Sequence, residues 1–220
     1  MPISRYQSAV LGVIARTHDP ESYVAGDLPI QRTGPRRSKD IDIFHEREEA
    51  VARAAARDAE LLAAAGHTLT WLRREPALHA AQIARGTDTT KLEWVVDSDY
   101  RYFPTVSDPE FGYVLHVVDL AVNKLMAAAS RREPRDVVDL VRLHQHHLPL
   151  GAIVWAAVAV APGFTPEGLL AEIRRNARYV AEDFRFLRSD TAIDGEIVMR
   201  ALRSALDEAE AFVSRMPTEA

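Results

Sequence analysis

The chain has 220 residues, 47% of them hydrophobic and 27% charged, which excludes a disordered polymer and fits one large domain or two small ones with a full core. Its formal charge of -5 excludes a general nucleic-acid-binding field, so any RNA partner has to meet a local basic surface. The absence of cysteine excludes disulfides and thiolate zinc sites and points to a cytoplasmic protein.

The start, Met1-Pro2-Ile3-Ser4-Arg5-Tyr6, lacks the charged-then-apolar pattern of a signal peptide. Residues Ser4 to Arg16 predict an amphipathic helix with Tyr6, Val10, Leu11 and Ile14 on one face. A short strand through Tyr23, Val24 and Ala25 runs into Gly26-Asp27, followed by a basic loop broken by Gly34-Pro35. Asp40-Ile41-Asp42-Ile43-Phe44 then reads as a strand. Glu46 to Ala65 is helical and stops at Gly66, and Thr68 to Arg73 alternates as a strand. Ala77 to Ala84 predicts a short helix. Thr89 to Val96 is the clearest alternation, with Leu92, Trp94 and Val96 on one face and Lys91, Glu93 and Val95 on the other.

From Val117 onward only helical periodicity remains. Helices are expected over Val117 to Ser130, from Pro134, over Ala152 to Ala161, from a Thr165-Pro166 cap through Arg175, and from Asp194-Gly195 to about Ser214. The longest apolar run, between Leu148 and Pro162, is shorter than the roughly 20 residues a membrane span needs, so no membrane partner is expected. The organisation is a mixed α/β half, residues 1–112, and an all-α half, residues 113–220, expected to complete one cleft.

The chemistry concentrates in two places. Strand alternation points Asp40 and Asp42 the same way, while Ile41 and Ile43 enter the core. Two carboxylates so placed repel each other unless a cation sits between them. Mg²⁺ takes hard oxygen ligands, commonly one or two carboxylates with substrate phosphates. The Gly turn, basic loop and Asp-x-Asp strand therefore suggest a metal-dependent site for a nucleoside triphosphate. Downstream, Asp136 and Asp139 share a helix face, and Asp136 lies in the first turn, where the helix dipole favours a carboxylate. Only three of the 27 Lys and Arg residues are lysines, namely Lys39, Lys91 and Lys124, which suggests positions needing a compact ammonium.

Gly26, the stretch Arg37-Ser38-x-Asp40-Ile41-Asp42-Ile43-Phe44, and Asp119-Leu120-Ala121-x-Asn123-Lys124 with Arg131-x-x-Pro134-Arg135-Asp136-x-x-Asp139-Leu140 resemble the nucleotidyltransferase toxins of the AbiEii type. These belong to the polymerase-β-like nucleotidyltransferase superfamily. Trp94-Val95-Val96-Asp97-Ser98-x-Tyr100-Arg101-Tyr102-Phe103-Pro104 is similar to a bacterial branch of it. The resemblance covers roughly residues 20 to 145.

It implies an α+β fold, an antiparallel-leaning mixed sheet with flanking helices followed by a helical C-terminal half. It also implies a Mg²⁺- or Mn²⁺-dependent enzyme that uses a nucleoside triphosphate. Such proteins are toxins of toxin–antitoxin or phage-defence pairs, and some modify the acceptor end of tRNA. Asp40 and Asp42 would hold the metal, with Glu93, or alternatively Asp97, as third carboxylate. Gly26, Arg37, Ser38 and Lys124 would bind the nucleotide. Asp136 or Asp139, preferably Asp139, would orient Lys124 or move a proton. An antitoxin is the implied protein partner.

Gly26-Asp27 departs from the Gly-Gly or Gly-Ser of the family turn. An acid there repels triphosphate unless it points away or helps bind metal. Loop residues Arg32 to Arg37 could supply the positive potential that the turn lacks. Two further readings follow: a transferase acting on a small-molecule or protein hydroxyl, favoured by the acidic net charge, and a degenerate binding member, for which Asp27 is the only support. Weaker candidates are a metal site at His144-Gln145-His146-His147, base stacking or a hinge at Tyr100-Arg101-Tyr102-Phe103, and RNA contacts from Arg174, Arg175 and Arg178.

Overall fold

The computed structural model describes residues 3–18, 20–97 and 100–216; Met1-Pro2 and Ser98, which enter the sequence reading above, lie outside them. The chain divides into two compact units, Met1–His116 and Val117–Ala220.

The first unit is α+β, as expected. Helix α1 (Arg5–Ile14) starts at a capping box in which Ser4 and Gln7 satisfy each other's backbone N–H, and it buries Val10, Leu11 and Ile14. Strand β1 (Ser22–Val24) leads into a short helix α2 (Asp27–Gln31), and β2 (Asp40–His45) follows. Helix α3 (Glu48–Ala64) precedes a meander of β3 (Thr68–Glu75), β4 (Leu78–Arg85) and β5 (Asp88–Val96). Strands β6 (Val106–Asp108) and β7 (Gly112–Val114) complete a seven-stranded sheet of order β3-β4-β5-β2-β1-β7-β6. Pairings β2/β5 and β1/β7 are parallel and the others antiparallel.

The segment expected as a short helix, Ala77 to Ala84, is instead strand β4. Two-residue turns bracket it, since Glu75 pairs with Leu78 and Arg85 with Asp88, and Gly86 takes the positive φ of 62° that the second turn requires. Alanine's helix preference is small against a full ladder of hydrogen bonds to both neighbours. The short pieces α2, β6 and β7 have no periodicity from which to be read.

Alternation gives the sheet two chemically distinct faces. Ile41, Ile43, Leu92, Trp94, Ala81 and Ile83 form a core with Val51, Ala54, Ala55 and Leu62 of α3 and with α1. The buried carboxylate of Asp58 on α3 accepts the Trp94 indole N–H at 2.9 Å and lies 3.4 Å from His18 Nε2. This bond ties α3 to the last third of β5. The opposite face carries Asp40, Asp42, Lys91 and Glu93.

The second unit is helical throughout. Helices α4 (Val117–Ser130), α5 (Pro134–His146), α6 (Leu150–Val160), α7 (Pro166–Asn176) and α8 (Gly195–Val213) begin and end close to the expected positions. The capping chemistry explains why. Pro134 and Pro166 occupy first-turn positions, Thr165 accepts from Gly168 N–H, and Asp194 accepts from the N–H groups of Glu196 and Ile197. His144 accepts from Leu150 N–H at 3.0 Å, so its ring helps join α5 to α6. Among the described residues no helix is long and apolar enough to cross a membrane.

Asp58→Ala is expected to cost about 2–4 kcal/mol of unfolding free energy, because the Trp94 N–H and His18 lose their buried partner. Urea unfolding checks this, and a loss below about 1 kcal/mol would mean the bond does not anchor β5.

Candidate active site

The parallel register of β2 and β5 builds the acidic face. Asp40 pairs with Lys91 and Asp42 with Glu93, so four charged side chains occupy adjacent positions on two neighbouring strands. The Lys91 Nζ sits 2.7 Å from Glu93 Oε1. Burial acts to lower the Lys91 pKa, but the hydrogen bond to Glu93 and the charges of Glu93, Asp40 and Asp42 outweigh it and hold the ammonium above its ordinary value.

Gly26 closes on this face from β1. Ala25 N–H donates to Asp42 C=O at 3.1 Å, which brings the next residue against the Asp42 side chain. Gly26 has a φ of 66°, and a Cβ there would collide with Asp42 Oδ2. Glycine is thus required twice, by the left-handed backbone and by the close approach to the carboxylate.

In the loop Arg32 to Arg37, two of the three arginines have acidic partners within the protein. Arg36 is buried and pairs with Asp27 at 2.8 Å. Arg32 grips Asp108 through two bonds of 2.7 Å each and lies over the Phe111 ring at 4.2 Å. Both cations are used to fold the loop, and Arg37 and Lys39 are exposed. The acid beside the turn is therefore neutralised within the protein. Arg36, nine positions from Asp27, is the partner that sequence reasoning missed. The Ser38 hydroxyl donates to the backbone C=O of Asp40 at 2.8 Å, so here it sets the start of β2.

Among the third-carboxylate candidates, Glu93 lies beside Asp42, whereas Asp97 follows the end of β5. Asp97 accepts the Tyr23 hydroxyl at 2.5 Å. Burial, followed by the Asp97 charge, drives the Tyr23 pKa upward. Asp97 lies four residues from Glu93, about 13 Å along an extended strand, and its chemistry is that of a partner to Tyr23. Arg101 pairs with Glu46 and lies over the Tyr23 ring at 4.9 Å, while Tyr100 and Tyr102 meet edge-on at 4.9 Å.

A second group forms inside the helical unit. Lys124 of α4 is 2.9 Å from Asp139 Oδ2 and 3.9 Å from Asp136 Oδ1 on α5. Its side chain is 8% exposed and that of Asp139 is 0%, so the ammonium is desolvated against its acid. Asp136 is gripped at both oxygens by Arg131, at 2.7 and 3.0 Å. The i,i+3 spacing places both acids against α4 as expected, with different partners. Arg131 holds Asp136, and Asp139 holds Lys124. Arg174 pairs with Glu210 and Asp207 of α8, and Arg175 with Glu172.

A divalent metal fits the β2 face by the chemistry of its donors. Asp40, Asp42 and Glu93 offer hard oxygens, and the Gly26 backbone leaves no side chain over Asp42. Among the described residues, no three His, Cys, Asp or Glu side chains converge into a ready-made metal cage. Mg²⁺ bound through one or two carboxylates with substrate phosphates does not need one.

No protein-family model matches the chain, and no curated protein matches it in sequence. Solved structures do match it in fold. A protein assigned as a nucleotidyltransferase from H. pylori aligns over 97% of this chain and 98% of its own, with a TM-score of 0.58 and 15% identity. MenT4, a nucleotidyltransferase toxin from Mycobacterium tuberculosis H37Rv, aligns over 97% of this chain and 83% of its own, with a TM-score of 0.59 and 16% identity. The chain has the fold of nucleotidyltransferases, and the likeness extends through both units. The resemblance read from its motifs and the likeness read from its backbone converge on the same class.

Gly26→Ala is expected to lower stability by roughly 1–2 kcal/mol for the left-handed backbone alone, and further for the collision with Asp42. Adding Asp42→Ala should recover the collision part. Urea unfolding of the two single variants and the double variant tests this, and strictly additive losses would show that Gly26 and Asp42 do not touch.

Proposed function

We propose that this protein is a divalent-metal-dependent nucleotidyltransferase that moves a nucleotide from a nucleoside triphosphate to an RNA hydroxyl, with the acceptor end of tRNA as the favoured target. The observation that carries this reading is the Asp40/Asp42 face with Gly26 folded onto it, on a nucleotidyltransferase fold. A role as the toxin of a two-gene pair with an antitoxin is supported by the AbiEii resemblance and by the shared fold with MenT4. The pairing of Asp27 with Arg36 speaks against the reading of Asp27 as the mark of a degenerate site.

In this reaction the acceptor oxygen forms a bond to the α-phosphorus. The bond from that phosphorus to the bridging oxygen breaks, pyrophosphate leaves, and the hydroxyl proton is released. Asp40 and Asp42, with Glu93 beside them, would hold Mg²⁺ or Mn²⁺. When bound, the metal supplies positive charge against the triphosphate and the departing pyrophosphate. Gly26 leaves the turn bare, so phosphate oxygens can approach the backbone. The AbiEii resemblance assigns Lys124 to the triphosphate, and within the helical unit the buried Asp139 pairs with its ammonium and fixes its direction. Arg37 stands on the exposed side of the loop as a further phosphate ligand. Ser38 holds the strand start, and would donate to a phosphate by turning from the Asp40 carbonyl.

The test is incubation of the protein with each α-labelled nucleoside triphosphate, Mg²⁺ and total bacterial RNA, beside Asp42→Ala. Label is expected on tRNA-sized RNA and should fall at least about 100-fold in the variant, within the range of metal and electrostatic contributions to catalysis. Expression of the wild type but not of the variant should arrest bacterial growth. Label on protein or small molecules instead would move the acceptor class. No label on any acceptor with any nucleotide would overturn the reading.

A further inference from the structure

Lys91 has no part in the mechanism above, yet it occupies the metal face. It pairs in register with Asp40, one position from the Asp42–Glu93 pair, and its ammonium is bonded to Glu93 at 2.7 Å. Three carboxylates on adjacent strand positions, with strands about 4.8 Å apart, repel one another unless a cation lies among them. In this structure the ammonium of Lys91 is bonded to one of the three, and its residue pairs in register with a second.

We propose that Lys91 is a built-in counter-ion of the carboxylate face, and that a divalent metal binds there only by displacing its ammonium. The inference rests on the transferase reading of this face. Two features support it. The Lys91 side chain is 34% exposed, so its stem has a solvent route away from the carboxylates. The residue is also a lysine in a chain that otherwise favours arginine, and an ammonium on a flexible stem leaves a carboxylate more readily than a bidentate guanidinium does.

Glu93 then has two states. Without metal it bonds Lys91; with metal it is free to turn toward the ion beside Asp42. The ammonium also stabilises the empty face, which would otherwise hold like charges at close range. The consequence is weak binding of metal by the protein alone. A nucleoside triphosphate arriving with its own metal brings four phosphate charges that can receive the displaced ammonium. The site is therefore biased toward the metal–nucleotide complex over free metal.

The experiment measures Mn²⁺ binding to the full chain by electron paramagnetic resonance of the unbound ion, with no nucleotide present. The proteins are the wild type, Lys91→Met, Lys91→Arg and Asp42→Asn. Lys91→Met is expected to tighten Mn²⁺ at least about 10-fold, a modest return for removing a like charge some 5 Å from a dication at a partly exposed site. Lys91→Arg should bind no better than the wild type, and Asp42→Asn should bind worse. A merely structural role for Lys91 would not raise metal affinity. Lys91→Gln replaces Lys91→Met if thermal unfolding shows that variant to be misfolded.

An affinity within about 2-fold of wild type in Lys91→Met overturns the inference, because an ordinary surface ion pair predicts that result. The transferase reading survives it if Asp42→Asn still weakens binding. If no protein binds Mn²⁺ alone, the counter-ion inference fails. Repeating the titration with a nonhydrolysable nucleoside triphosphate then separates the two ideas. Binding that Asp42→Asn abolishes keeps the transferase reading, and no binding overturns both.

Discussion

Parallel pairing of β2 with β5 is the contact on which the rest of the first unit depends. It sets Ile41 and Ile43 beside Leu92 and Trp94 on the core side and Asp40 and Asp42 beside Lys91 and Glu93 on the other. A slip of one residue would turn every one of these side chains to the wrong face. The register is held from the core side, where the Trp94 indole reaches the buried Asp58 carboxylate on α3. The chemistry on one face is thus positioned by a hydrogen bond on the other.

Charge is balanced locally. Asp27 has Arg36, Glu93 has Lys91, Asp108 has Arg32, Asp136 has Arg131 and Asp139 has Lys124. Several of these pairs are buried. A buried pair adds little net stability, but loss of one partner leaves an uncompensated charge that is costly. The arrangement therefore serves precision of placement more than stability. Asp27 is the clearest case. Read alone it is an acid where a phosphate should lie; with Arg36 against it, it becomes part of the loop that shapes the turn.

Much of this was legible in the residues because strands and helices carry their own periods. The two faces of β5, the common direction of Asp40 and Asp42, and the shared side of Asp136 and Asp139 all follow from spacing. Helix starts at Pro134, Thr165 and Asp194 follow from capping chemistry. Strand β4 was not legible, because alanine-rich segments favour helix locally and only the pairing with β3 and β5 overrides that preference. The bond from Ser38 to the Asp40 carbonyl, the Asp27–Arg36 pair and the Tyr23–Asp97 bond were not legible either. Each joins residues whose meeting depends on loop geometry or on sheet order. The same alternation placed Lys91 on the face of Glu93, but its pairing opposite Asp40 depends on sheet order.

The central claim is that the β2 face, with Gly26 folded onto it, holds a metal–triphosphate complex. Anomalous scattering from Mn²⁺ in crystals grown with a nonhydrolysable nucleoside triphosphate tests it most directly. The account predicts a manganese peak coordinated by Asp40 and Asp42, with the triphosphate against the Gly26 turn. A nucleotide bound away from Gly26, with no manganese at either aspartate, would contradict it.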